Sequence, residues 1–270
     1  MKSIMKEIED LSLNAWPSHQ MQIYDGWILR FSYFYTHRTN SVEQFAASTL
    51  SWSEKIPYCE SVYERWGTPT IFKITPLMNV DFDYMLENRG YHIEHKTNVL
   101  TMNLSEYKPH LAVTRGFVAN YGSNHLSRST TNVSGFTVEI TNHITDEWIN
   151  SFFDLKGMKN ETHRKIVPQM YHAIPMATVC ACIRDEAGRI IATGLGVLDR
   201  DYIGIYAIHC SSEHRRQGLA SAIVEALLDA GMERGAKKTY LQCVDGNEGA
   251  LKMYEKFGFE KIYDYWFRVK

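Results

Sequence analysis

At 270 residues the chain is long enough for one large domain or two ordinary ones, and 44% hydrophobic residues give ample material for a core. A net charge of −2 offers no electrostatic reason to expect nucleic acid or an anionic membrane as partner, and no stretch approaches about 18 consecutive apolar residues, so no membrane span is expected. Five cysteines, an odd number, fit a reducing compartment better than a disulfide framework; Met1 to Leu13 lacks the apolar run of a signal peptide, so the expected location is cytoplasmic.

In chain order, Gly26 to Tyr33 reads as a strand leading into Thr36-His37-Arg38-Thr39-Asn40-Ser41-Val42. Ser51 and Glu54 form a capping box that opens a helix with Ile56, Cys59, Tyr63 and Trp66 on one apolar face. Thr70 to Thr75 is a short strand, and a helix follows from Asn79 to Gly90-Tyr91. Ser105 to Gly135 loses periodicity and is rich in Ser, Thr and Asn, so it reads as a linker, with Leu111 to Val118 as its ordered part. A strand is expected at Phe136 to Thr141, helices from Thr145 to Leu155 and Glu161 to His172, and a hairpin of strands near Met176 to Arg184 and Ile190 to Leu198 that turns at Asp185-Glu186-Ala187-Gly188.

The most informative run follows. Tyr202 to Cys210 is an apolar strand, and Leu219, Ile223, Leu227 and Ala230 repeat as the buried face of a helix. Between them, Gly218 and Ala220 carry little or no side chain, so a diphosphate can approach the N–H groups of Gln217 to Ala220, where the helix N-terminus adds about half a positive charge. Arg215 and Arg216 supply side-chain charge, although the same residues also suit a tight turn with a solvated basic lip. Lys238 to Cys243 is another strand, Asn247 starts another helix, and Phe257-Gly258-Phe259 ends it.

An internal repeat lies at an offset of 168: Asn79 falls on Asn247, Met85 on Met253, Gly90 on Gly258, Tyr91 on Phe259, and Thr70 to Thr75 on Lys238 to Cys243. The early copy has no glycine or alanine in Thr36 to Val42, and Leu86 stands where the later copy has Tyr254.

The order and spacing across Ile203 to Lys270 resemble the GNAT superfamily of acyl-CoA-dependent N-acetyltransferases. Arg215, Gly218 and Ala220 match its first motif, and Asn247, Ala250, Tyr254, Gly258 and Phe259 match its second. The resemblance implies an α/β fold of tandem GNAT-like domains, each a mixed, largely antiparallel sheet flanked by helices. The expected division is a degenerate GNAT-like domain over 1–104, a linker over 105–135 and the acetyltransferase domain over 136–270. It further implies acetyl-CoA as acetyl donor, held by Ile208, His209, Cys210, Arg215, Arg216, Gln217, Gly218, Leu219, Ala220, Asn247 and Tyr254. Acetyl would pass directly to a primary amine of a small molecule or peptide, by a monomer or homodimer.

Tyr254 is the expected catalytic acid, since a phenol of pKa about 10 can protonate a departing thiolate; packing on the helix's buried face is its alternative. Asn247 serves as helix cap, as ligand to the pantetheine region, or both. The strand Tyr202 to Cys210 holds no carboxylate for a general base, which leaves Tyr206, His209 or a water chain. No metal is expected: Cys180 and Cys182, one residue apart on a strand, point one way and do not close a tetrahedron, with or without His209 and Cys210. A non-catalytic acyl-CoA sensor and a protein-modifying acetyltransferase are the alternative functions; retention of Tyr254 speaks against the sensor.

Overall fold

A computed structural model describes residues 2–109, 113–121 and 126–270, without the side chains of 115–121 and 126–128. The chain divides into two compact units: Met1–Val99 with Cys243–Asn247 and Lys261–Lys270, and Leu100–Gln242 with Glu248–Glu260. Contacts therefore divide the chain differently from the linear scheme 1–104, 105–135 and 136–270, because the last ten residues pack with the first unit. Each unit is a mixed, largely antiparallel sheet flanked by helices. No helix among the described residues is long and apolar enough to cross a membrane.

The first unit begins with helix α1 (Lys2–Ala15), which the sequence analysis did not assign although Met5, Ile8, Leu11 and Ala15 repeat at helical spacing and are buried. Strands β1 (Gln20–Tyr24), β2 (Trp27–Phe31), β3 (Val42–Gln44) and β4 (Ile71–Ile74) follow, with α2 (Trp52–Arg65) before β4 and α3 (Val80–Asn88) after it. Strand β5 (His92–Asn103) crosses the division at Val99. Phe72 and Ile74 of β4 join Trp27, Ile56, Tyr63, Phe82 and Leu86 in one core with α2 and α3. Alternation turns Lys73 the other way, toward Glu9 of α1. Trp66, expected on the apolar face of α2, caps that helix instead, 48% exposed and stacked on Phe31.

In the second unit, strands β6 (Val113–Tyr121) and β7 (Leu126–Val133) form an antiparallel pair, and β7 pairs with β8 (Phe136–Thr141). The 105–135 stretch is therefore mostly sheet rather than linker; of its expected ordered part, Leu111 and its neighbour lie outside the described residues. Thr and Val have strand propensity that the Ser and Asn content masked. Helices α4 (Asp146–Leu155) and α5 (Glu161–His172) precede strands β9 (Ala177–Arg184), β10 (Ile190–Asp199) and β11 (Tyr202–Cys210); α6 (Leu219–Glu233), β12 (Lys238–Val244) and α7 (Glu248–Lys256) complete it. Strand order from β12 runs β11, β10, β9, β8, β7, β6, and the β11–β12 pairing is parallel.

The repeat holds to the residue: α3 and α7 begin and end 168 positions apart. It also corrects one expectation. The strand parallel to β4 is β3, through Val42 and Phe72, just as β11 is parallel to β12 through Gly204 and Tyr240. The early counterpart of the phosphate turn is thus Phe45 to Ser51, which contains Ala46 and Ala47, and not Thr36 to Val42.

Candidate functional site

The register between β11 and β12 runs from Tyr202↔Lys238 to Ile205↔Leu241 and ends there. Beyond it Tyr206 to Cys210 change from buried to half-buried. Opposite β10, Thr193 faces His209 and Leu195 faces Tyr206, so Ala207 and Ile208 together oppose Gly194 in a bulge, with Ala207 at φ +51°. The Thr193 hydroxyl donates to the Ala207 carbonyl at 3.1 Å and holds the kink. A Cβ on Gly194 would lie 2.3 Å from Ile223 and 2.8 Å from Ile208, so Ile208 packs toward α6. His209, next along, faces α4, its ring 6.1 Å from that of Phe152.

Burial holds the His209 imidazole below its ordinary 6.5; Lys156 and Arg215 add to that, and a hydrogen bond with the Leu155 backbone opposes it. His209 is therefore neutral at pH 7. The Tyr206 and Tyr240 hydroxyls lie 2.5 Å apart on the side of the strand opposite Ile208. Glycine at 204 admits this pair, since a Cβ there would sit 2.7 Å from Tyr240 and 2.8 Å from the Tyr206 ring. Tyr240 escaped the sequence reading; the signal for it was the glycine set among strand residues. Burial pushes the Cys210 thiol up to about 11, Cys59 and Cys182 up to about 12, and raises Cys180 and Cys243 as well, so none is a thiolate nucleophile near neutrality.

After β11, the Ser211 N–H donates to the Ile191 carbonyl at 2.8 Å and a short turn over Ser212–His214 carries the chain to the α6 N-terminus. Arg216 takes φ +61° and Gly218 φ +92°, both left-handed. Arg215, Arg216, Gln217 and Gly218 are exposed, Ala220 is half-buried, and Leu219 is buried as the anchor of the turn. The α6 N-terminus has no side-chain cap bond and no acidic residue in its first turn. Its first N–H groups lack intrahelical acceptors by construction and follow two exposed arginines in the chain.

The early counterpart is built the other way. Ahead of α2, the Asp25 carboxylate accepts from the N–H groups of Thr49 (2.9 Å) and Leu50 (2.9 Å) and from the Thr49 hydroxyl (2.8 Å), and it pairs with the fully buried Lys55 at 3.2 Å. These bonds from backbone and side chains hold the Asp25 carboxyl well below the usual range. A capping box between Ser51 and Glu54 then opens the helix. A protein carboxylate therefore holds two N–H donors of this turn, and a cavity of about 390 Å³ lined in part by Ala46 and Ala47 also carries the charged Glu9, Glu43 and Lys73.

Tyr254 is buried in α7 with its ring edge-on to Phe259 at 5.7 Å. Its carbonyl accepts the N–H groups of Phe257 (3.0 Å) and Phe259 (3.1 Å), and Gly258 at φ +90° closes the helix. Asn247 is exposed immediately before α7, in the segment that belongs to the first unit. Ile208 to Ala220 thus form one continuous stretch at the end of β11, while Tyr254 reaches the second unit on a separate helix.

Comparison with known proteins agrees with this architecture. Residues 141–259 match the model of the acetyltransferase (GNAT) family. Over 266 residues, 98% of each chain, the sequence is 24% identical to an uncharacterized N-acetyltransferase, YobR, of Bacillus subtilis. A GCN5-related N-acetyltransferase from Kribbella flavida has the same fold, with a TM-score of 0.63 at 14% identity, covering 99% of this chain and 94% of the other. A tandem GNAT protein from the clavulanic acid biosynthesis pathway gives 0.64 at 12% identity, covering 85% and 74%. The matched region, residues 141–259, contains the β11–α6 turn, and over it the chain is similar to the acetyltransferase (GNAT) family.

Proposed function

We propose that the protein is an acetyl-CoA-dependent N-acetyltransferase that transfers acetyl directly to a primary amine, using the second unit as its cofactor-binding half. The observation that carries this reading is the uncapped, acid-free start of α6 beside exposed Arg215 and Arg216, where β11 and β12 cease to pair. The N–H groups of the first turn suit a diphosphate. Past Ile205 and Leu241, the ended register leaves strand amides available to the pantetheine amides. An amine attacks the thioester carbonyl, the tetrahedral adduct collapses, and Tyr254 protonates the leaving thiolate. Elevated thiol pKa values support transfer without a cysteinyl intermediate.

Calorimetry with acetyl-CoA tests the reading: one site per chain is expected, and Gly218→Val should weaken it by more than tenfold. Gly218 sits at φ +92°, which a β-branched residue does not adopt, so the turn must move. Two equivalent sites per chain, or full affinity in a folded Gly218→Val protein, would remove the basis for this assignment.

His209 is proposed as the group that takes the amine's proton, directly or through water. Because its folded pKa lies below 6.5, kcat/KM should be level at neutral pH and fall only as acid protonates the imidazole, with the midpoint under pH 6.5. His209→Gln should lower the plateau and abolish that acid limb. An unchanged profile in the variant would assign the proton to another group, with the Tyr206–Tyr240 pair next in line.

A further inference from the structure

Within the first unit, three side chains converge whose donor atoms all lie within 4.8 Å of one another: His37, Glu94 and His95. The His37 Nε2 lies 2.8 Å from Glu94 Oε2, and the His95 Nε2 lies 3.9 Å from the same oxygen. His92 holds the second carboxylate oxygen, Oε1, at 2.8 Å. We propose that His37, Glu94 and His95 form a binding site for a divalent transition-metal ion, with zinc the best match.

The backbone of β5 makes this convergence. On a regular strand Glu94 and His95 would point to opposite faces. His95 instead takes φ +49°, in the left-handed region that a histidine adopts at a cost, and this brings its ring to the face Glu94 uses. Its carbonyl accepts the Thr97 hydroxyl at 2.8 Å, which fixes the distorted turn of chain. The third donor comes from the one-turn helix at His37–Thr39. Its ring is 14% exposed and is wedged between His95, at 4.5 Å and perpendicular, and Phe267, at 5.3 Å.

The donor set decides the class of ion. Two imidazoles and one carboxylate suit zinc, cobalt, nickel or copper; calcium and magnesium select all-oxygen shells. A fourth position is left for water, as zinc accepts with three protein ligands. His92, hydrogen-bonded to the outer carboxylate oxygen, orients Glu94 as an outer-shell partner does. The sequence reading, which followed the cysteines, passed over the site because its third ligand stands far from the His-x-Glu-His run of β5.

The test uses full-length protein without a polyhistidine tag, stripped of metal and titrated with Co²⁺ and then Zn²⁺. One equivalent of Co²⁺ should bind with the strong visible absorption of a four-coordinate site, and Zn²⁺ should displace it and raise Tm. His95→Asn retains a residue tolerant of positive φ but deletes the ligand, and should lose at least ~10-fold in affinity, as should Glu94→Gln. His172→Asn, at an exposed histidine of the second unit, should bind like the parent. If the parent takes up no stoichiometric Co²⁺, or if His95→Asn binds as tightly as the parent, the site does not exist.

Discussion

Tyr254→Phe should lower turnover by ~10²-fold or more while leaving acetyl-CoA affinity close to that of the parent. Tyr254 is only 7% exposed and its ring packs edge-on against Phe259, so phenylalanine preserves the hydrophobic contact and deletes the hydroxyl alone. The expected loss is therefore chemical rather than structural, and should appear in kcat with Tm little altered. An acyl donor with a better-leaving thiol needs less help from an acid. It should recover part of the rate in the variant and gain less in the parent. Full turnover by Tyr254→Phe with the physiological amine would mean that water supplies the proton and that Tyr254 is a core residue.

Lys73→Met should cost about 3–5 kcal/mol of stability, the range for removing one partner of a buried ion pair. The Lys73 ammonium is buried on β4, bonded to Glu9, 3.8 Å from Glu43 and 4.4 Å from the Tyr265 ring. Burial alone would depress it, but Glu43 and Glu9 outweigh that and the net shift is upward. Methionine fills the volume and leaves the two carboxylates without the Lys73 cation, with Arg30 still acting on Glu43. Burial already raises the Glu43 carboxyl, loss of the Lys73 charge that opposes this raises it further, and a raised carboxyl favours the folded state most when protonated. The deficit should therefore be largest above neutrality and shrink as the pH falls toward ~4. A deficit independent of pH would mark a packing defect, and Glu9→Gln added to Lys73→Met should relieve part of a genuine charge defect.

Regular patterns carried the legible part of this protein. The helix α6 has apolar residues at every fourth or third position, and its strand neighbours are short, β-branched and bounded by turns, so β11, α6 and the glycine between them stand where the sequence puts them. The repeat was legible because both copies need the same Asn or polar start and the same terminal glycine. What escaped depended on long-range partners. Helix α1 looks polar because half of its surface faces water, and its buried Glu9 makes sense only beside Lys73. The early phosphate-turn counterpart was misplaced since a three-residue strand, β3, carries almost no periodic signal. That Asp25 fills it follows from a contact between a hairpin turn and a distant loop, which no spacing rule encodes. The Tyr206–Tyr240 pair likewise joins two strands far apart in sequence.

The last strand, β13 (Glu260–Val269), has a consequence for how the protein is made. It lies antiparallel to β4, from Trp266↔Ile74 to Val269↔Ile71, and Thr70 and Lys270 exchange backbone hydrogen bonds at its end. Tyr263 also reaches Glu9, and Arg268 pairs with Asp83. The first unit therefore lacks a strand of its own sheet until β13, far later in the chain than β4, has been synthesised. Translation order and folding order diverge: the earlier-made strands wait with an open β4 edge, a surface that invites wrong partners, until β13 arrives to cover it. Deletion of β13 thus acts on the unit built from residues far earlier in the chain.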